Sequence, residues 1–210
     1  MAGLCYQLDP AVLLDWFALM PSYPVNAGRI PGNKGIWAGI CAEFVEFTMM
    51  FVIYFVARLN HPEAFKLGPT AIWTTAGVVN TVLMVTSSYF IACAVSAMRA
   101  GNTQRSQRWM IAAIITALGY PIMKFHEIGW NLSHDIYGTT GVFFTVYYYT
   151  TLNHLIHACW GILGMFWVLA RMKTNAYSAD QHDGLVALAS YWHATDIIWL
   201  IIFQLFYVLA

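Results

Sequence analysis

Three pairs of ionisable side chains stand three residues apart in strongly apolar surroundings: Glu43 with Glu46, His154 with His157, and His193 with Asp196. That spacing puts both members of a pair on one side of a helix. A charged side chain at the centre of a membrane helix costs about 2.5–3.5 kcal/mol, so groups of this kind need a partner or a purpose. Counting about 1.5 Å of rise per residue from the ends of the apolar stretches, Glu43 lies about 10 Å deep, His193 about 14 Å, and Asp196 and His157 about 18–20 Å. The depths predict one interhelical polar layer of His154, His157, His193 and Asp196, with Glu43 close by.

Histidines and carboxylates on facing helices are also the donor set of a dinuclear iron or manganese centre. Such centres repeat Glu-x-x-His on two helices, and none of Glu43, Glu46 and Glu127 has a histidine three residues on. Hydrogen bonding between helices is therefore the expectation, with no metal and no catalytic residue assigned. Glu43, Glu46 and Glu127 stand as buried carboxylates able to hold protons. Glu127 closes the run Lys124-Phe125-His126-Glu127, which reads as a polar entry point or as a snorkelling lysine beside an acid. Among the aromatic rows, Tyr191, Trp192 and Trp199 suit a lipid or subunit interface, with His193 and Arg171 at the same groove. Gly161 and Gly164, like Gly35 and Gly39, are expected to let helices approach closely.

The elements that position these groups follow from composition. Of 210 residues 60% are hydrophobic and 10% charged, against about 25% charged in a soluble domain. Ten basic residues balance ten acidic ones, which leaves no electrostatic footprint for nucleic acid. Cys5, Cys41, Cys93 and Cys159 are scattered without disulfide or zinc spacing. Five apolar stretches, at 36–57, 70–98, 108–129, 141–170 and 184–208, predict an all-α polytopic membrane protein, a five-helix bundle over residues 35–210. The breaks between them, such as Arg58 to Pro69 with its His61-Pro62 and Gly68-Pro69, read as turns. Residues 1–34 carry Pro10, Pro21, Pro24 and Pro31 and read as an interfacial helix and irregular lead-in that is retained rather than cleaved. Arg29, Lys34, Arg99, Arg105, Arg108, Arg171 and Lys173 fall on one side and Arg58, Lys66 and Lys124 on the other, which predicts a cytoplasmic N-terminus and an external C-terminus.

Several stretches resemble subunit III of the haem-copper oxidases. Thr151-Leu152-Asn153-His154-Leu155-Ile156-His157 is similar to the family's Thr-Gly-x-His-x-x-His. Tyr191-Trp192-His193-Ala194-Thr195-Asp196-Ile197-Ile198-Trp199 is similar to its Tyr-Trp-His-x-x-Asp-x-x-Trp. His182 and Gly184 fall where the family has His-x-Gly, although its following Glu is Val186 here. Ala42-Glu43-Phe44-Val45-Glu46-Phe47-Thr48 resembles Ser-Glu-x-x-Phe-Phe-Thr, making Glu43 the counterpart of the family's buried carboxylate and Glu46 an addition. Asn80 to Ser87 and the Lys124/Glu127 pair match two further stretches. The resemblance covers residues 30–210 and is to the short five-helix branch. Ile30 to Trp37 and the tyrosine run look most like the homologues that accompany nitric oxide reductase. It implies accessory work in a bacterial inner membrane: no redox centre in this chain, bound phospholipid, support of proton uptake, and a catalytic subunit I-like partner carrying haem with copper or iron. The residues alone leave open a membrane enzyme with a His/carboxylate metal site, or a small proton-coupled carrier using Glu43 and Glu46.

Overall fold

A computed structural model describes Gly32 and residues 34–209, all helical or in short connections, with no strand among them. The expected lead-in therefore lies outside the described residues, apart from Gly32 and Lys34. Six α-helices follow one another: α1 Lys34–Asn60, α2 Pro62–Ala71, α3 Thr74–Arg99, α4 Thr103–Ser133, α5 Val142–Lys173 and α6 Asp183–Phe203, closed by a π-helical turn Gln204–Val208. Five of them, counting α6 with its closing turn, are long and apolar enough to cross a membrane. They match the five predicted stretches, and α4 runs several residues further at both ends while α5 runs three further at its C-terminal end.

The short helix α2 was not expected, since its Gly and Pro read as a break. Pro62 occupies its first turn, where a missing N–H costs nothing, and Pro69 falls near its last. Gly68 is needed there because the Phe143 ring occupies the space a Cβ would take.

Burial explains how the spans are arranged. On α1 the buried residues are Ile40, Glu43, Phe47, Met50 and Tyr54, a stripe in alternating steps of three and four. Val45, Met49, Val52 and Ile53 lie on its exposed side, as suits a helix facing lipid. Helix α1 packs on α5 and α6, α3 packs most extensively on α4, and α6 touches α1, α3 and α5. In the best apolar window of α6 and its closing turn 61% of residues are buried, against 28–39% in the other four spans, so α6 is the central element.

Candidate functional site

The polar side chains gather in four places along this frame. At the C-terminal end of α4, Lys124 and Glu127 are fully buried and paired, Nζ to Oε2 at 3.0 Å. Lys124 Nζ also donates to the hydroxyls of Tyr147 on α5 (3.1 Å) and Tyr207 in the π-turn (3.0 Å). Both tyrosines donate in turn to Glu127 Oε1, at 2.5 and 2.6 Å. Each charge is thus met by its counter-charge and by hydroxyl dipoles, the condition under which a buried ion pair is tolerated.

One turn back along α4 the Tyr120 hydroxyl lies 2.8 Å from His154 Nδ1, and His154 Nε2 lies 3.0 Å from the Thr195 carbonyl oxygen. A carbonyl only accepts, so Nε2 carries the proton and Nδ1 accepts from Tyr120. The neutral imidazole is satisfied at both nitrogens and bridges α4, α5 and α6.

A third group joins α1 to α5 and α6. Glu43 is buried, with the Thr195 hydroxyl 3.1 Å from Oε1 and no hydrogen-bond partner for Oε2. One turn on, Glu46 Oε1 accepts from Asn153 Nδ2 at 2.6 Å, and Oε2 lies 3.5 Å from His157 Nε2. His157 Nδ1 lies 3.0 Å from the Asn153 carbonyl oxygen.

The fourth group ties α6 to α3. Trp192 Nε1 donates to Ser87 Oγ at 2.7 Å and Trp199 Nε1 to Thr81 Oγ1 at 3.0 Å. Asp196 is buried beside Ser88, its Oδ1 without a hydrogen bond.

The single polar layer predicted from depth is therefore divided. His154 and His157 face α4 and α1 respectively, whereas Asp196 faces α3, and His193 is half-buried with no hydrogen bond to Asp196 or Glu43. Trp192 and Trp199, expected at a lipid or subunit interface, are fully enclosed, because each indole N–H finds a hydroxyl on α3. Tyr191 does line a surface cavity of about 470 Å³ between α1, α5 and α6, with Trp160, Gly161, Gly164, Trp167 and Tyr177. Arg171 and His193 are not among its lining residues. Gly161 meets the expectation of close approach, since a Cβ there would lie 2.6 Å from the Trp192 ring, while around Gly39 there is open space. Sequence reasoning missed Tyr120, Tyr147, Thr195 and Tyr207 as polar partners; the signal available for all four was a hydroxyl within an apolar run that also holds a histidine or an acid.

Among the described residues no three His, Cys, Asp or Glu side chains converge to hold a metal ion. Fold and site define a polytopic helical membrane protein whose buried polar groups join helix to helix. The profile of the family described as "Cytochrome c oxidase subunit III" matches residues 25–210, and the chain belongs to that family. It is 28% identical over 178 residues to a probable cytochrome c oxidase subunit 3 of Nocardia farcinica, covering 82% of this chain and 84% of the relative. It is also 28% identical over 180 residues to cytochrome c oxidase subunit 3 of Thermostichus vulcanus, covering 84% and 86%. A heme-copper oxidase subunit I+III of Aeropyrum pernix is 23% identical over 197 residues, 90% of this chain and 24% of that longer protein. Membership makes this chain a non-catalytic, accessory subunit of a haem-copper oxidase complex of the respiratory chain.

Proposed function

We propose that the chain sits beside a haem-bearing subunit I-like partner in a bacterial cytoplasmic membrane and gives that partner a rigid, lipid-holding flank. The observation that carries this reading is the use made of the buried ionisable groups. Lys124, Glu127 and His154 are spent on bonds between helices, as in a scaffold. The Aeropyrum pernix relative, named as subunits I and III together, supports a subunit I-like neighbour. Phospholipid is assigned to the cavity of α1, α5 and α6, whose tryptophans suit acyl chains near a headgroup. Arg171, exposed at the end of α5, is placed to meet an anionic headgroup.

The N-terminus is assigned to the cytoplasm. Lys124 leaves the charge count because it is buried and paired, so only Arg58 and Lys66 remain on the opposite side. Glu43, with one oxygen unpartnered, is the carboxylate best placed to hold a proton for the complex. Following the sequence features at Ile30 to Trp37 and Tyr147 to Tyr149, the partner is assigned to the nitric oxide reductase type. Purification through a tag on this chain tests both steps. Haem bands in stoichiometric amount are expected, with turnover of nitric oxide exceeding that of oxygen. A preparation free of haem protein overturns the accessory role, and oxygen turnover alone overturns the finer assignment.

A further inference from the structure

Three buried tyrosines have a base, and not merely an acceptor, at the end of the phenol O–H. Tyr120 points its hydroxyl at His154 Nδ1 over 2.8 Å, and Tyr147 and Tyr207 donate to Glu127 Oε1 over 2.5 and 2.6 Å. Tyr54 and Tyr191 donate instead to the carbonyl oxygens of Leu205 and His157, which do not take up a proton. A phenol gives up an electron readily only when its proton moves to a base within hydrogen-bond reach. The first three tyrosines are equipped for one-electron oxidation, and the other two are not.

The same three belong to one column of oxidisable rings. Ring centroids are 5.1 Å apart for Tyr120 and Trp199, 6.1 Å for Trp199 and Tyr207, 6.0 Å for Tyr207 and Tyr147, and 5.1 Å for Tyr147 and Tyr148. The first four rings are buried, whereas Tyr148 is half-buried and donates to the Ile136 carbonyl in the connection from α4 to α5. The column therefore runs from Tyr120, near the middle of α4, to the rim of the bundle.

Its two bases differ. A proton taken by Glu127 leaves Lys124 buried without its counter-charge. A proton taken by His154 Nδ1 deserts no ion, and both N–H groups of the resulting imidazolium keep a partner, the Tyr120 oxygen and the Thr195 carbonyl. Tyr120 is thus where an oxidising equivalent comes to rest.

We infer that Tyr120 and His154 form a redox site that takes up the oxidising equivalent of a lipid peroxyl radical, delivered through Tyr148, Tyr147, Tyr207 and Trp199. This class of oxidant forms where oxygen meets unsaturated acyl chains. Being polar it collects in the interfacial zone, where a tyrosine such as Tyr148, close to the start of α5, stands. The peroxyl radical takes one electron from Tyr120 and one proton from interfacial water and becomes a hydroperoxide. The O–H bond of Tyr120 breaks and an N–H bond forms on His154 Nδ1, leaving a neutral phenoxyl radical beside an imidazolium. No part of this step depends on which subunit accompanies the chain.

The test uses the full chain purified with its partners and returned to lipid, with peroxyl radicals made by a lipid-soluble azo initiator under oxygen and the sample freeze-quenched. The expected result is a tyrosyl radical in the EPR spectrum, narrowed by ring-deuterated tyrosine, with its high-field g-value lowered by the hydrogen bond from the imidazolium. The signal should be lost in Tyr120→Phe. It should fall in Trp199→Phe and in Tyr148→Phe, which cut the column and leave the Tyr120 hydroxyl in place. Tyr148→Phe changes only a half-buried ring at the rim, so it decides the matter if Tyr120→Phe fails to fold. A wild-type sample without a tyrosyl signal overturns the inference, as does a signal at wild-type strength in any of the three variants or one lacking the lowered g-value. Haem content of the same preparation reports separately on the accessory role.

Discussion

The Tyr207 hydroxyl donates to Glu127 Oε1 over 2.6 Å although 80 residues separate them, so the π-helical turn is held by an acid in α4. Tyr54 adds a second hold, its hydroxyl donating to the Leu205 carbonyl at 2.7 Å. Most of the π-helical turn is therefore part of the core: Leu205, Phe206 and Tyr207 are all buried.

Tyr207→Phe removes the hydroxyl that donates to Glu127 Oε1 and accepts from Lys124 Nζ, and should destabilise the bundle by at least about 1.5–3 kcal/mol. Unfolding in mixed micelles by SDS titration measures this. An unchanged midpoint would mean that the π-turn is held by packing alone.

Lys124→Met leaves Glu127 buried without its counter-charge and should cost about 3–5 kcal/mol, while Lys124→Met with Glu127→Leu should cost less than the single change. The same titration run as a double-mutant cycle checks the order. Additive losses would argue that the two side chains do not interact.

Gly161→Val places side-chain atoms where the Trp192 ring lies, since even a Cβ would come within 2.6 Å of it. Overpacking of this kind costs about 1–3 kcal/mol. Because Gly161 also lines the cavity of α5 and α6, phospholipid retained through purification should fall with stability, as read by phosphorus analysis.

For orientation, cysteines introduced at Thr139 and Gln104 in a cysteine-free chain lie at opposite ends of the bundle, and both positions are exposed. Thr139→Cys should react with an impermeant maleimide on intact cells and Gln104→Cys only after permeabilisation. The reverse pattern would put the N-terminus outside.

How much of this was legible beforehand depends on whether the determinant is local. The spans were, because twenty apolar residues in a row record their own environment. Helix α2 was not, because Pro62 and Pro69 break a helix in its middle but are harmless near its ends. Residue spacing gave the depths of Glu43, His157 and Asp196 but not the direction each faces, and direction separates Asp196, beside Ser88, from Glu43, beside Thr195. Trp192 and Trp199 have the same composition signal whether they face lipid or the core. The Lys124–Glu127 pair was visible at three residues' spacing, whereas Tyr147 and Tyr207 reach it from 23 and 83 residues away.

The packing of α1 has a consequence for biogenesis. Its polar partners are Asn153 for Glu46, Thr195 for Glu43 and the Leu205 carbonyl for Tyr54, which lie 107, 152 and 151 residues later in the chain. At about 5–20 residues per second of synthesis, those partners reach the membrane roughly 5–30 s after α1 does. Through that interval the first span has two acids and no mates of its own, a state that an insertase or a membrane chaperone can recognise and that a membrane protease can attack. Slowing translation between α1 and α5 should therefore lower the yield of this subunit more than the same delay placed after α6.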